Sequence, residues 1–258
     1  MKKILKSLGG TLLVLAFWLA VWWLGAIRMG RALLLPSPHA VFQKLCELIL
    51  TADFWRIVFR SILRVVLGIL LAMFSGVLLA LLTSFSRLLY RLFYPILSVI
   101  KATPIASFVI LALLWLGSSM LPVFIAMLIV LPVVWAAVSD GIHAFDKQLI
   151  ETCYVFDFPL GKRLRLLYLP TIMPYFLSAC KTSIGMAWKA GVAAEVLAVS
   201  PVSIGKQLFE AKIYLETEEL FAWTAVVVLL SLAIEKLVTL TFRTLGKRYI
   251  RRDAHAKA

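Results

Sequence analysis

The amino-acid sequence predicts an all-α integral membrane protein of six transmembrane helices. Composition is the first observation. Hydrophobic residues make up 62% of the 258 residues and charged residues only 16%, where a soluble domain carries about 45–50% apolar and about 25% charged residues. A soluble fold of this length has too little polar cover to hide so much apolar side chain. Spacing is the second. Apolar runs near the roughly 20 residues that a hydrocarbon core of about 30 Å requires recur between short loops. Third, no polar stretch in the sequence is long enough for a separate soluble domain. Backbone groups in lipid must be satisfied within the segment, so each span is read as a helix.

The first run, Thr11 to Ile27, follows Lys2, Lys3 and Lys6. Such a start also fits a signal peptide. However, Trp18, Trp22 and Trp23 crowd the region where cleavage needs small residues. Trp suits an interfacial belt, so a retained span is expected. The second run is Val65 to Leu82, closed by Thr83 and Ser84. An uncharged stretch from Ala102 to Ser139 is divided by Gly117-Ser118-Ser119, with Pro122 behind them. It is expected to form two helices joined by a tight turn. The fifth span, Ile172 to Val199, is interrupted by Lys181, Lys189 and Glu195, and the sixth runs from Leu220 to Phe242. This divides the chain into three parts. Residues 1–55 hold the first span and an outer amphipathic segment, residues 56–243 hold five spans and a loop at 146–170, and residues 244–258 form a basic tail.

The net charge of +14 lies at the ends of apolar runs rather than on a domain face. Anionic lipid headgroups are therefore the expected partner, and nucleic acid is not. Basic residues in loops also set orientation. With the N-terminus inside, the inner segments carry Lys2, Lys3, Lys6, Arg87, Arg91, Lys147, Lys162, Arg163, Arg165, Arg243, Lys247, Arg248, Arg251, Arg252 and Lys257. The outer segments carry Arg28, Arg31, Lys44, Arg56, Arg60, Arg64, Lys206 and Lys212. Both termini are thus expected in the cytoplasm of a bacterial-type inner membrane. Arg60 and Arg64 run against the rule and are expected at the outer headgroup level, or snorkelling toward it. Cys46, Cys153 and Cys180 form no CxxC pair and no metal-ligand spacing, so no metal or other cofactor is expected.

The loop from Asp146 to Thr171 is the most informative segment. Leu149, Ile150, Cys153 and Phe156 share one face at helical spacing, and Lys147, Glu151 and Thr152 share the other. Pro159 and Gly161 are expected to break the helix before the basic stretch Lys162, Arg163 and Arg165. Periodicity alone allows a plain surface loop. The residue order, however, resembles the cytoplasmic signature of ABC-importer permeases: Glu-Ala-Ala, then Gly, then a hydrophobic residue and Leu-Pro. Glu151 matches the Glu, and Thr152 and Cys153 replace the two alanines. Asp157 stands at the usual Gly, with Gly161 offering a turn four residues later. Leu167, Leu169 and Pro170 match the end in register.

Further resemblance lies in Leu35-Pro36-Ser37-Pro38, in Ser61-Ile62-Leu63-Arg64 with Gly68, and in Lys101-Ala102-Thr103-Pro104. It continues in Trp188 and Glu195 with Ile204-Gly205, where Ser203 replaces a usual Gly. These features are similar to binding-protein-dependent permeases for sulfonates, taurine, nitrate and related small molecules. The resemblance implies the type I importer permease (MetI-like) fold, working as a dimer. It also implies two cytoplasmic ATPase subunits docked on the loop as a coupling helix, and an external solute-binding protein.

What is missing narrows the reading. The Gly-Lys pairs Gly161-Lys162, Gly205-Lys206 and Gly246-Lys247 are not followed by Ser or Thr and lack the upstream Gly of a P-loop. ATP hydrolysis is therefore expected from a separate subunit. No HExxH and no GxSxG supports an intramembrane enzyme. The alternative is an ion-coupled secondary transporter using Glu195, read as the single carboxylate well inside an apolar segment. Charges at mid-span cost about 2.5–3.5 kcal/mol each on insertion scales, so Lys181, Lys189 and Glu195 are expected to face protein or water. They either pair or snorkel, or they line the translocation pathway together with Trp188. Lys189 and Glu195 are six apart and do not share a helical face. The basic residues would suit an anionic solute.

Overall fold

The computed structural model describes the backbone of residues 2–31 and 33–256, and the side chains of Gly10, 13–31, 33–146, 148–153 and 155–241. The basic side chains of the N-terminus and tail, and that of Lys147, therefore lie outside the described residues. Every regular element among the described residues is helical. The N-terminal half holds α1 (Lys2–Met29), α2 (Pro38–Ile49), α3 (Ala52–Phe85), α4 (Arg87–Ala102), α5 (Ile105–Ala112) and α6 (Leu121–His143). Then come α7 (Lys147–Val155), α8 (Leu160–Arg163), a π-helical turn (Leu164–Tyr168), α9 (Leu169–Ala198), α10 (Ile204–Ile213) and α11 (Thr217–Ala256). The boundary placed at residue 55/56 falls inside α3, and the tail continues α11 without a break.

Local chemistry sets the ends. Ser37 accepts the Ala40 N–H at 3.2 Å to open α2, with Pro38 at the first helical position, where a missing N–H costs nothing. Thr51 and Ser86 cap α3 and α4 in the same way. Pro122 stands in the first turn of α6, just beyond the Gly117–Ser119 turn, as expected.

Among the described residues, α3, α6 and α11 are each long and apolar enough to cross a membrane. The third expected span needs correction. α5 holds only 8 residues, about 12 Å of helix, and cannot cross alone. α4 and α5 are long and apolar enough only as a pair, bent by 107° at Thr103-Pro104, so the third crossing unit is this broken pair and not α5 alone. The residue before a proline is driven out of the helical region, which accounts for the break. With α1 and α9, these make six crossing units. The long outward faces of α1 and α3 leave Leu13, Phe17, Trp18, Leu70, Leu71 and Phe74 exposed, which suits lipid and not water.

The core is the packing of α3, α6 and α9. Ala72, Val130, Val134 and Ala187 have no exposed surface. Small residues bring the backbones close: a Cβ on Gly68 would run into the Val123 carbonyl and, at 2.8 Å, into Ala126. Trp22 ties α1 to this body by donating to the Pro36 carbonyl at 3.1 Å and stacking on Phe221.

Candidate functional site

The 146–170 loop lies at one end of the bundle, called here the loop end, where Ile150, Leu160 and Leu164 line an apolar cavity with residues of α3, α6 and α9. Asp146 accepts the Gln148 N–H at 2.9 Å and starts α7. The helix stops after Val155 because Asp157 takes φ 45°, the left-handed region. The Phe158 N–H then reaches back to the Cys153 carbonyl at 3.0 Å, the six-to-one bond of a Schellman stop. Asp157 therefore makes the turn itself, at the position where the resemblance expects Gly. Short polar residues tolerate this conformation better than other non-glycine types. Gly161 supplies no turn. It sits inside α8 without a positive φ, and this corrects the expectation that it breaks the helix. Pro159 instead caps α8, and Arg163 donates to the Phe158 carbonyl at 2.6 Å to brace the corner.

The apolar face of α7 is also divided. Cys153 is buried and Ile150 half-buried, but Leu149 and Phe156 are exposed. Val155 is 81% exposed, so with Phe156 the loop presents apolar side chains to the outside, whereas Leu160 lines an apolar cavity with Val77, Leu81 and Ile172 of the bundle. Glu151 and Thr152 are exposed on α7. Leu167 is buried where the loop returns, Pro170 is half-buried and Leu169 is exposed. Phe145 and Tyr168, 5.0 Å apart edge to face, close the base of the loop.

At the opposite end, Glu195 is fully buried. Ser61 of α3 donates to its Oε2 at 2.8 Å, and Arg64 Nη1 donates to Oε1 at 3.4 Å. The Gly205 N–H adds a third bond at 3.3 Å, while the Ile204 N–H donates to Ser61 Oγ at 3.0 Å. The first turn of α10 thus directs its free N–H groups at the carboxylate and its hydroxyl partner. Arg64 also donates to the Pro201 carbonyl at 2.7 Å and the Val202 carbonyl at 3.4 Å. It therefore pairs with Glu195 and the link between α9 and α10. Arg60 stays exposed. Val199 and Val202 hold φ 47° and 48°, a strained region for β-branched residues, and the Arg64 clamp lies on that strained link. Ser203 is extended and caps α10 through the Lys206 N–H at 3.0 Å, so no glycine is needed there.

The remaining predicted site residues do not assemble with Glu195. Trp188 is buried and donates to the Val227 carbonyl of α11 at 3.1 Å. Lys189 is exposed and pairs with Glu235 of α11 at 3.9 Å. Lys181 is exposed. Glu235 corrects the reading of Glu195 as the single mid-span carboxylate, because it too lies well inside an apolar run, Leu220 to Phe242. Its presence there was the signal that could have found it. Ser61 and Arg64 stood in a quoted motif, but no local pattern joined them to Glu195.

Comparisons with known proteins agree with this architecture. Residues 68–251 match the family model described as binding-protein-dependent transport system inner membrane component. A putative aliphatic sulfonates transport permease protein of Bacillus subtilis (strain 168) is 26% identical over 92% of this chain and 86% of its own length. The taurine transport system permease protein of Escherichia coli (strain K12) is 25% identical over 88% of this chain and 83% of its own. A solved structure, described as an amino acid ABC transporter with histidines, superposes with a TM-score of 0.60 at 16% identity. It covers 74% of this chain and 93% of its own, and shares the fold.

Proposed function

The chain belongs to the family of binding-protein-dependent transport system inner membrane components, and on that premise we propose how this permease subunit of an ATP-binding-cassette importer couples and what it carries. The 146–170 loop is the coupling element, and a separate cytoplasmic ATPase subunit docks on it. Two copies of the chain form the pathway, and an extracytoplasmic solute-binding protein delivers the solute. Both termini and the loop lie in the cytoplasm of the inner membrane. The solute is a small anion of the sulfonate class, a reading supported by the relatives named for sulfonates and taurine. Lys181 and Lys189 are exposed and stay pathway residues. Trp188 and Glu195 hold helices together from inside the packing.

One observation carries the coupling reading. Val155 and Phe156 are exposed on the 146–170 loop, in the same short segment as the charge of Glu151. An apolar cluster with a charged rim is how a docking surface is built. The test is copurification of the chain with its ATPase partner. Val155→Asp combined with Phe156→Asp should abolish association while the chain still inserts and elutes as a single species. The chain alone should hydrolyse no ATP. Undiminished association would refute the docking surface. Lys162→Cys in a Cys46→Ser background should resist an impermeant thiol reagent added outside intact cells, and ready labelling would invert the orientation.

A further inference from the structure

α4 has three faces. Leu97 is its one buried residue, and Leu89, Phe93 and Ile100 beside it are half-buried against the bundle. Leu88, Leu92, Ile96 and Val99 form an exposed apolar side. Arg87, Arg91, Tyr94, Ser98 and Lys101, spaced by three or four residues, make a continuous polar stripe between them. The stripe carries three cations, and α4 contains no Asp or Glu. From Arg87 to Lys101 it extends about 21 Å along the helix. A lipid headgroup occupies only the interface, so a stripe of this length does not match one.

Groups on α3 and α6 face the stripe. Lys101 Nζ lies 6.0 Å from the Trp135 ring centroid, and Tyr90 and Tyr94 pack on the same ring at 6.0 and 6.4 Å. Trp135 donates to Thr83 Oγ1 at 2.9 Å. At the loop end, Arg87, Arg91, Tyr90, Thr83, Ser139 and His143 line a cavity of about 570 Å³. Ser139 is 8% exposed, and its Oγ, buried in the cavity wall, has no hydrogen-bond partner among the described residues. A ligand oxygen would satisfy this buried hydroxyl. Cations inside a membrane span face protein or a water-filled path.

We infer that the α4 stripe is the anion-selective wall of the translocation pathway, and that Arg87, Arg91 and Ser139 receive the oxyanion of the solute at the loop end. The inference rests on the permease reading and moves the selective surface from α9 to α4. Guanidinium groups suit a sulfonate oxyanion because they donate parallel N–H bonds to two of its oxygens. Lys101, at the deep end of the stripe, holds the anion electrostatically before it reaches the arginines.

The test uses the full chain with Cys46→Ser, in phosphatidylcholine nanodiscs. Cysteines are placed at Ser98 on the stripe or at Val99 on the apolar side. The probes are an anionic methanethiosulfonate ethylsulfonate and its cationic trimethylammonium analogue, with rates normalised to a free thiol. Ser98→Cys should react, with the anionic reagent favoured by at least about tenfold, the low end of charge focusing in a cleft. Val99→Cys should not react. Adding Arg91→Gln and Lys101→Gln should remove most of the preference, while each variant still elutes as a single species. Ser98→Cys reacting no faster than Val99→Cys would overturn the stripe as a water-lined wall. A preference unchanged by the double substitution would overturn its selectivity. Loss of the preference in phosphatidylglycerol nanodiscs would identify a lipid-headgroup site instead. ATPase association is read on the same variants. Its absence with the labelling pattern intact would refute the permease reading and leave the anion stripe standing.

Discussion

Ser61 and Glu195 lie 134 residues apart and share a 2.8 Å hydrogen bond in which the hydroxyl donates to the carboxylate. Neither has any exposed surface. The bond joins α3 to α9 and, through the Ile204 N–H on Ser61, to α10. It makes Glu195 a structural centre whose acceptor capacity is taken by Ser61, Arg64 and Gly205.

Glu195→Ala should therefore destabilise the folded chain. It leaves the Arg64 guanidinium, only 14% exposed, with backbone carbonyls but no counter-charge, and breaking such a buried pair costs about 3–5 kcal/mol. Glu195→Gln keeps an acceptor for Ser61 and should cost less, about 1–3 kcal/mol. Thermal unfolding in detergent should order the two variants below the unsubstituted chain. If both melt normally and only transport is lost, Glu195 serves the solute or an ion instead of the fold.

Two glycines should respond in opposite ways. A Cβ on Gly205 would run into the Glu195 Cβ and the backbone of Val196, neither of which can move aside. Gly205→Ala should thus cost about 1–3 kcal/mol or more through overpacking. Gly161 has nothing within 4 Å of such a Cβ, so Gly161→Ala in α8 should be neutral or stabilising by up to about 1 kcal/mol. Unfolding measured on both variants in parallel tests this, and similar shifts would contradict the packing around Gly205.

Asp157 should tolerate Gly and reject Val. Its φ of 45° is free for glycine, while a left-handed L-residue costs about 1–2 kcal/mol and β-branching adds to that. Asp157→Gly should preserve ATPase association, and Asp157→Val should weaken it and speed proteolysis within the loop. Equal behaviour of the two variants would mean that the turn is not what positions the loop.

Glu151→Lys should uncouple transport without unfolding the chain. The side chain is exposed on α7, and surface charge changes usually move stability by only about 0.5 kcal/mol. Uptake and ATPase association should fall while expression and insertion persist. Normal values for both would remove Glu151 from the coupling contact. An ion-coupled carrier would show the reverse pattern, with Glu151→Lys silent and Glu195→Gln inactive.

The loop was legible from its residues. The helical spacing of Leu149, Ile150 and Cys153 acts within a few residues of chain and survives as a pattern, although the turn lies at Asp157 and not at Gly161. α4 was not legible. Its stripe of Arg87, Arg91 and Lys101 lowers the local apolar content, so the segment reads as a loop and the third span was placed one helix too late. A polar face on a membrane helix is tolerated only because other helices or water meet it, and hydropathy along one segment carries no sign of them.

The sequence by itself determined the membrane class, the number of crossing units and the amphipathic helix of the 146–170 loop, because hydrophobic content and turn chemistry add up locally along the chain. Only the tertiary structure decided that Glu195 is matched by Arg64 and Ser61, that Lys189 meets Glu235, and that α4 and α5 fold into one broken crossing. The physical reason is distance along the chain. A buried charge is stabilised by the groups that surround it in space, and here those come from α3, α10 and α11, whose positions follow from close packing around Gly68, Gly191 and Gly205.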